Sequence, residues 1–393
     1  MRSHDGAVEC EFSPVRGDVF FRAQRALGLI PAHGLGVYRR VGLAVLITWV
    51  PLVVAAVVAN RLWPGAIEEP LLQHFGVHVR FLVAVPLFII DEAIAHRLFS
   101  GIMPYFVRSG LVTGADRQRL VEIVRWTMAW RDGWRPWVVI GSLVMVWTFT
   151  SPMLWDEHEV NWTVSDPPLF ALRFALFWFR WIARPIFEAL LMVWLWRLVV
   201  ATALMWRVSR LNLDLVPTHP DGAAGLGFLE MVPMAFVAPA FALSAVLSAV
   251  WAHDVVYHGV TLSTLAIPIG AFVVFTSILM LVPLLVFTPP VWVARLQALS
   301  DYGVLVGEHH RRLRRRWILD EDLGNDAMLD SPELGPVAYS GRLFDAVWRV
   351  MPLPISKRVM IGIVALIALP MLPLITAEVH LGDALMKIMR TLL

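Results

Sequence analysis

Long apolar runs alternate along this chain with short stretches in which the charges collect. A membrane-crossing helix needs roughly twenty apolar residues, and the runs predict seven such helices. The first extends from Val41 to Asn60, between Arg39-Arg40 and Arg61. The second is cleanly apolar only from Phe81 to Ile90, and becomes a span by continuing through Asp91, Glu92 and His96 to Ile102. The third covers Trp137 to Trp155. The stretch Leu169 to Val208 would be about 60 Å long as one helix, too long for an upright span. Arg184-Pro185 is the expected break, since proline removes a helical hydrogen bond and constrains its predecessor. Leu169 to Ala183 then reads as an interfacial or inserted piece, and Pro185 to Trp206 as the fourth span. The fifth is Leu229 to Trp251. The sixth is Leu265 to Ala294, bent by Pro268, Pro283 and Pro289-Pro290, and the seventh is Val359 to Glu378. The runs are continuous rather than alternating, which excludes a β-barrel. The fold class is an all-α polytopic membrane helix bundle of about seven transmembrane helices with one cytoplasmic helical segment.

Composition agrees. Of 393 residues 58% are apolar and 16% charged, with a mean hydropathy of +0.67, against about 45–50% and about 25% in soluble domains. An ordinary soluble enzyme and a disordered chain are both excluded. The single cysteine, Cys10, excludes an intramolecular disulfide and a Cys-rich metal site. The first forty residues show no cleavable signal pattern, so the first span is expected to insert as an uncleaved signal.

Charge adds orientation. The basic residues gather in residues 1–40, in the loop after span two, after span four and in residues 295–358. Residues 156–168 and 252–264 hold no Lys or Arg, and 61–79 only Arg61. Basic loops stay in the cytoplasm. The N-terminus is therefore expected in the cytoplasm and the C-terminus outside it. The chain divides into a cytoplasmic segment 1–40, a six-span region 41–294, a cytoplasmic basic helix and loop 295–358, and a last span with its tail, 359–393. Trp63, Trp155 and Trp251 fall at outer ends and Trp137, Trp206 and Trp292 at inner ends, as an aromatic belt requires.

Several polar constellations are candidates for chemistry. On a regular helix Arg173, Arg180, Arg184 and Glu188 share one face, and Arg184 and Glu188 stand at i,i+4. Intramembrane charges face a protein interior or a water-filled cavity, so this stripe reads either as an anion or proton pathway or as arginines reaching to headgroups. In span two Asp91, Glu92 and His96 suit a proton relay or part of a metal site, or else pair with loop arginines. The loop Thr218, His219, Asp221, Gly222, Gly225, Gly227 offers a glycine-rich turn before a helix, able to cradle an anion or simply to turn tightly with Asp221 as a cap. The outer loops carry His74, His78, Glu157, His158, Glu159, His253, Asp254 and His258, ligands suited to Zn²⁺, Mn²⁺ or Fe²⁺; polar loops are equally ordinary without metal. Arg311, Arg312, Arg314, Arg315 and Arg316 suit anionic lipid or mark topology alone, and no nucleic acid is expected. No familiar catalytic motif is present, and no cofactor is implied.

The His219-Pro220-Asp221-Gly222…Gly225-Leu226-Gly227-Phe228 loop resembles one in a family of bacterial polytopic membrane proteins with no assigned activity. Tyr302-Gly303 through Arg311 to Trp317 and the proline-rich last span are similar to the same family. Ala224 stands where a second glycine would be expected. The resemblance covers the C-terminal half, implies the inner membrane of a bacterium, and implies no mechanism. Three function classes remain: a transporter or channel using the Arg/Glu stripe, a non-catalytic assembly or signalling component, and a membrane-embedded enzyme using His219 and Asp221.

Overall fold

A computed structural model describes residues 11–31, 34–65, 69–154, 157–164, 169–321 and 335–374, without the side chains of 151–154, 157–158 and 335–340. Among the described residues every regular element is helical. In chain order they are α1 (Val19–Ala26), α2 (Val37–Val58), α3 (Phe75–Val79, a π turn Arg80–Ala84, then Val85–Arg108), α4 (Asp116–Asp132) and α5 (Trp134–Leu154). There follow α6 (Phe170–Val208), α7 (Gly227–Tyr257), α8 (Leu262–Leu285), α9 (Thr288–Trp317), α10 (Gly335–Trp348) and α11 (Lys357–Leu374).

Five of these are long and apolar enough to cross a membrane: α2, α6, α7, α8 and α11. Predicted spans two and three correspond to α3, which runs unbroken past Asp91, Glu92 and His96, and to α5. The far end of span seven and the C-terminal tail lie outside the described residues, as does Trp155.

Burial ranks the helices. Half of the most apolar window of α6 is buried, against 22% for α2, α8 and α11. The central helix is therefore α6, in contact with α2, α3, α4, α5 and α8. The peripheral helices turn Val54, Val57, Val58, Val274, Phe275 and Ile278 outward, an apolar surface suited to hydrocarbon.

Two expectations about breaks are corrected. Helix α6 is not interrupted at Arg184-Pro185. A π turn at Phe179–Ala183 precedes the proline, and the Arg184 amide donates to the Phe179 carbonyl. The wider turn absorbs the bond that Pro185 cannot make, so Leu169 to Ala183 is no separate piece. Helix α3 uses the same device: the Val85 amide donates to Arg80 just before Pro86. The two π turns touch through Phe81 and Phe179, edge to face at 6.1 Å. The second correction concerns span six, which does not reach Ala294. Helix α8 stops at Leu285, and α9 restarts at Thr288 with prolines in its first turn, where a missing N–H costs nothing.

Helices α3 and α6 run parallel in close register. The Arg80 guanidinium lies over Phe187, the Trp194 indole donates to the Phe88 carbonyl, and Arg197 pairs with Glu92. Residues 11–26 of the N-terminal segment pack against this pair at its Glu92–Arg197 end. Phe12 and Val15 are fully buried, Phe12 packs edge-on against Phe99 at 5.8 Å, and Arg131 donates to the Ser13 carbonyl. Phe12→Ala is expected to lower the unfolding free energy by about 3 kcal/mol, read from denaturation in detergent. Unchanged stability would show that residues 11–26 merely rest on the bundle.

Candidate functional site

The densest polar chemistry lies between α3 and α6, in two clusters about 16 Å apart along α3 (the rise from Arg80 to Asp91). The first cluster centres on Arg197, 1% exposed. Its guanidinium donates to Glu92 at 2.9 Å and to Asp18 at 3.1 Å, and lies over the Trp194 ring at 5.0 Å. Arg40, at the start of α2, donates to the other Glu92 oxygen. Asp18 also caps α1, accepting from the Phe21 amide at 2.6 Å. Burial, which outweighs the attraction of Arg197, lifts the Asp18 carboxyl above the usual carboxylate range.

Beside this cluster stands Asp91. It is fully buried, and neither carboxyl oxygen meets a hydrogen-bond donor. Three carboxyl groups thus face two guanidinium groups. At the same end a cleft of about 390 Å³ opens between Arg16, Arg39, His96 and Arg97. His96 turns to the Ser13 hydroxyl at 3.0 Å, so it makes no site with Glu92.

The second cluster holds Arg80, bidentate to Glu159 at 2.7 Å for each bond. Burial raises the Glu159 carboxyl, but Arg80 overrides it and leaves the group below the usual range. Nearby Arg184 donates to Glu188 at 3.0 Å, and the Thr148 hydroxyl donates to the same carboxyl at 3.2 Å. Gly76 permits this approach, since a Cβ there would meet Glu159 Oε1 at 3.0 Å and Val250 at 3.1 Å.

The predicted stripe is therefore split. Arg184 and Glu188 join the second cluster, whereas Arg173 is exposed and Arg180 half-buried, outside it. The π turn between them supplies the reason: one extra residue in a turn rotates everything before it by roughly 100°.

Comparison with known proteins finds no matching family model, no matching curated protein and no matching solved structure.

The histidines predicted in outer loops separate into two groups. His78 accepts from the Trp49 indole at 3.0 Å and its other nitrogen meets the Leu71 carbonyl at 2.9 Å, so it is occupied. His74 and His253 stack with ring centroids 4.9 Å apart, and His258 lies edge-on to His253 at 5.4 Å. Glu69, absent from the sequence-based set, joins them: its carboxylate is 3.8 Å from His253 and 3.9 Å from His258. Burial first, and then His253, push His74 down to about 4. Asp254 sits on α7 without joining that set of ligand atoms, and the His158 side chain lies outside the described residues.

The loop before α7 does not offer its amides to an anion. Asp221 takes them: it accepts from Ala223 at 2.9 Å, Gly225 at 3.2 Å and Gly227 at 2.8 Å, and pairs with His219 at 3.0 Å. Gly227 is required there, because a Cβ would come within 2.9 Å of Asp221. Gly222 has a φ of 64°, and its carbonyl accepts from Met351. Ala224, where a glycine was expected, holds a left-handed φ of 56°. Thr218 takes no part in the Asp221 bonds.

Two outcomes test this description. Arg197→Ala removes the partner of two buried carboxyls and is expected to cost about 3–5 kcal/mol. Arg184→Ala, whose partner keeps Thr148, costs less; equal losses in denaturation experiments would contradict the ranking. The second concerns pH. Burial raises the Asp221 carboxyl, but the three amides and His219 hold it below the usual range. A carboxyl lowered on folding stabilises above its unfolded value, near 4, and that contribution is lost as pH falls through the lowered value. Exchange protection of the Gly225 and Gly227 amides should persist at about pH 5 and fade below about pH 4. Asp221→Ala should remove it throughout, at a cost of about 2 kcal/mol.

Proposed function

We propose that this chain is a seven-span membrane protein of the transporter or channel class, and that Asp91 is its proton-exchanging group. The reading takes the N-terminus as cytoplasmic, the C-terminus as extracytoplasmic, and the membrane as the inner membrane of a bacterium. Asp91 carries it. Protonating Glu92 would break bonds from Arg40 and Arg197, whereas Asp91, buried without a donor, can take or release a proton without breaking any. Ionisable groups at membrane depth are costly and mark ion or proton pathways. Here they stand at two levels of one helix pair, one level at the π turns and the other beside a basic cleft, which this reading takes as facing the cytoplasm. π turns recur at functional sites.

One observation favours the assembly reading instead. Helix α9 buries only Val291 and Ala298 along its 30 residues, packs against α10, and ends in Arg314, Arg315 and Arg316. Such a projecting basic hairpin suits a partner or an anionic lipid surface.

The test is proton flux in proteoliposomes under an imposed potential. Wild type is expected to move protons, and Asp91→Asn to fall to the level of empty liposomes while melting no earlier. Undiminished flux in Asp91→Asn, or none in wild type, overturns the reading. A flux loss matched by a fall in melting temperature would make Asp91 structural.

A further inference from the structure

We infer that Glu69, His74 and His253 form a binding site for a divalent cation of the zinc class at the outer end of the bundle, with His258 at its edge. The observation is a convergence of lone pairs. Glu69 Oε2, His74 Nε2 and His253 Nε2 are all buried, and none has a hydrogen-bond partner. One ligand atom from each residue lies within 4.8 Å of the others. Buried polar atoms are nearly always paired, so three orphaned acceptors facing one another need a common partner. A cation supplies it; water or another side chain would satisfy one or two.

The surroundings set the ring orientation that ligation requires. His253 Nδ1 lies 3.1 Å from the Gln73 carbonyl. A carbonyl only accepts, so the proton sits on Nδ1 and the Nε2 lone pair is free, the outer-shell arrangement of metal-bound imidazoles. The His74 ring in turn faces the Glu69 backbone carbonyl. The two rings stack within 28° of parallel, and their ligand atoms and that of Glu69 lie within 4.8 Å of one another.

A protonated His253 paired with Glu69 is the competing account. Its separation of 3.8 Å is too long for the hydrogen bond such a pair would form. Tetrahedral zinc at about 2.0–2.2 Å from each ligand brings ligand atoms to about 3.3 Å from one another, and the Glu69 and His253 atoms are already near that. Two imidazoles and one carboxylate are a zinc donor set that leaves a fourth position open. His258, whose Nε2 is 3.9 Å from the other Glu69 oxygen, is placed to approach it. The absence of thiolate and the single carboxylate argue against copper(I) and calcium in turn. Bound there, the cation ties the segment before α3 to the end of α7, independently of Asp91.

The experiment uses the full-length chain in detergent, stripped with a chelator and titrated with zinc by calorimetry, with melting followed in parallel. One zinc per chain is expected, with a rise in melting temperature. Glu69→Gln and His74→Gln should each weaken binding by about 100-fold or more, and His309→Gln, far along α9, should not. On wild-type protein loaded with one zinc, the X-ray absorption edge should show two imidazole shells, a measurement that holds even if a variant fails to fold. Binding by Glu69→Gln and His74→Gln equal to wild type, no stoichiometric binding by wild type, or a zinc spectrum without imidazole scattering would each overturn the site.

Discussion

The arrangement of this protein depends on how one buried guanidinium is satisfied. Arg197 sits on the central helix, where an unpaired charge would be costly. It is held by Glu92 from α3, by Asp18 from the N-terminal segment, and by the face of Trp194. Arg40 completes Glu92 and thereby adds α2. Four separate parts of the chain meet at this point because two buried arginines need carboxylates. Apolar packing alone would let parallel helices slide past one another; the Glu92–Arg197 bond sets their register. Phe12, Phe99, Phe236 and Trp194 then lie ring against ring around it.

Prolines shape the other end of the same pair. In α3 and α6 a proline follows a π turn, and the widened turn lets each helix continue where a regular one would break. The consequence is rotational. Side chains before the turn point elsewhere than 3.6-residue periodicity would place them, which leaves Arg173 outside the cluster that Arg184 joins. A third proline device, at Pro289-Pro290, ends one helix and begins another. Sequence position alone does not distinguish these outcomes; neighbouring helices do.

Much of the fold was legible in the apolar runs because burial in hydrocarbon and in protein both demand them, and the helices fall close to the predicted stretches. The candidate residues were legible one helix at a time: Asp91 and Glu92 stood out as carboxyls in an apolar run, and His74 and His253 as imidazoles in outer loops. Their partners were not. Glu69 looks like any loop carboxylate, and Asp18 and Arg40 like ordinary residues of a basic leader, because their roles arise only where distant segments meet. At the Asp221 loop the sequence left two readings open, and the structure favours the tight turn capped by Asp221. Glycine spacing shows that amides are exposed to something, but not that the nearest acceptor is the loop's own carboxylate.

The bond between Asp18 and Arg197 spans 179 positions, and this separation carries a consequence for biogenesis. Synthesis proceeds from the N-terminus, so residues 11–26 leave the ribosome long before the helix that receives them exists. Until α6 is made, Asp18 lacks the guanidinium that holds it. The segment made first thus waits for a helix made much later, and its docking reports that the central helix has arrived with Arg197 in place.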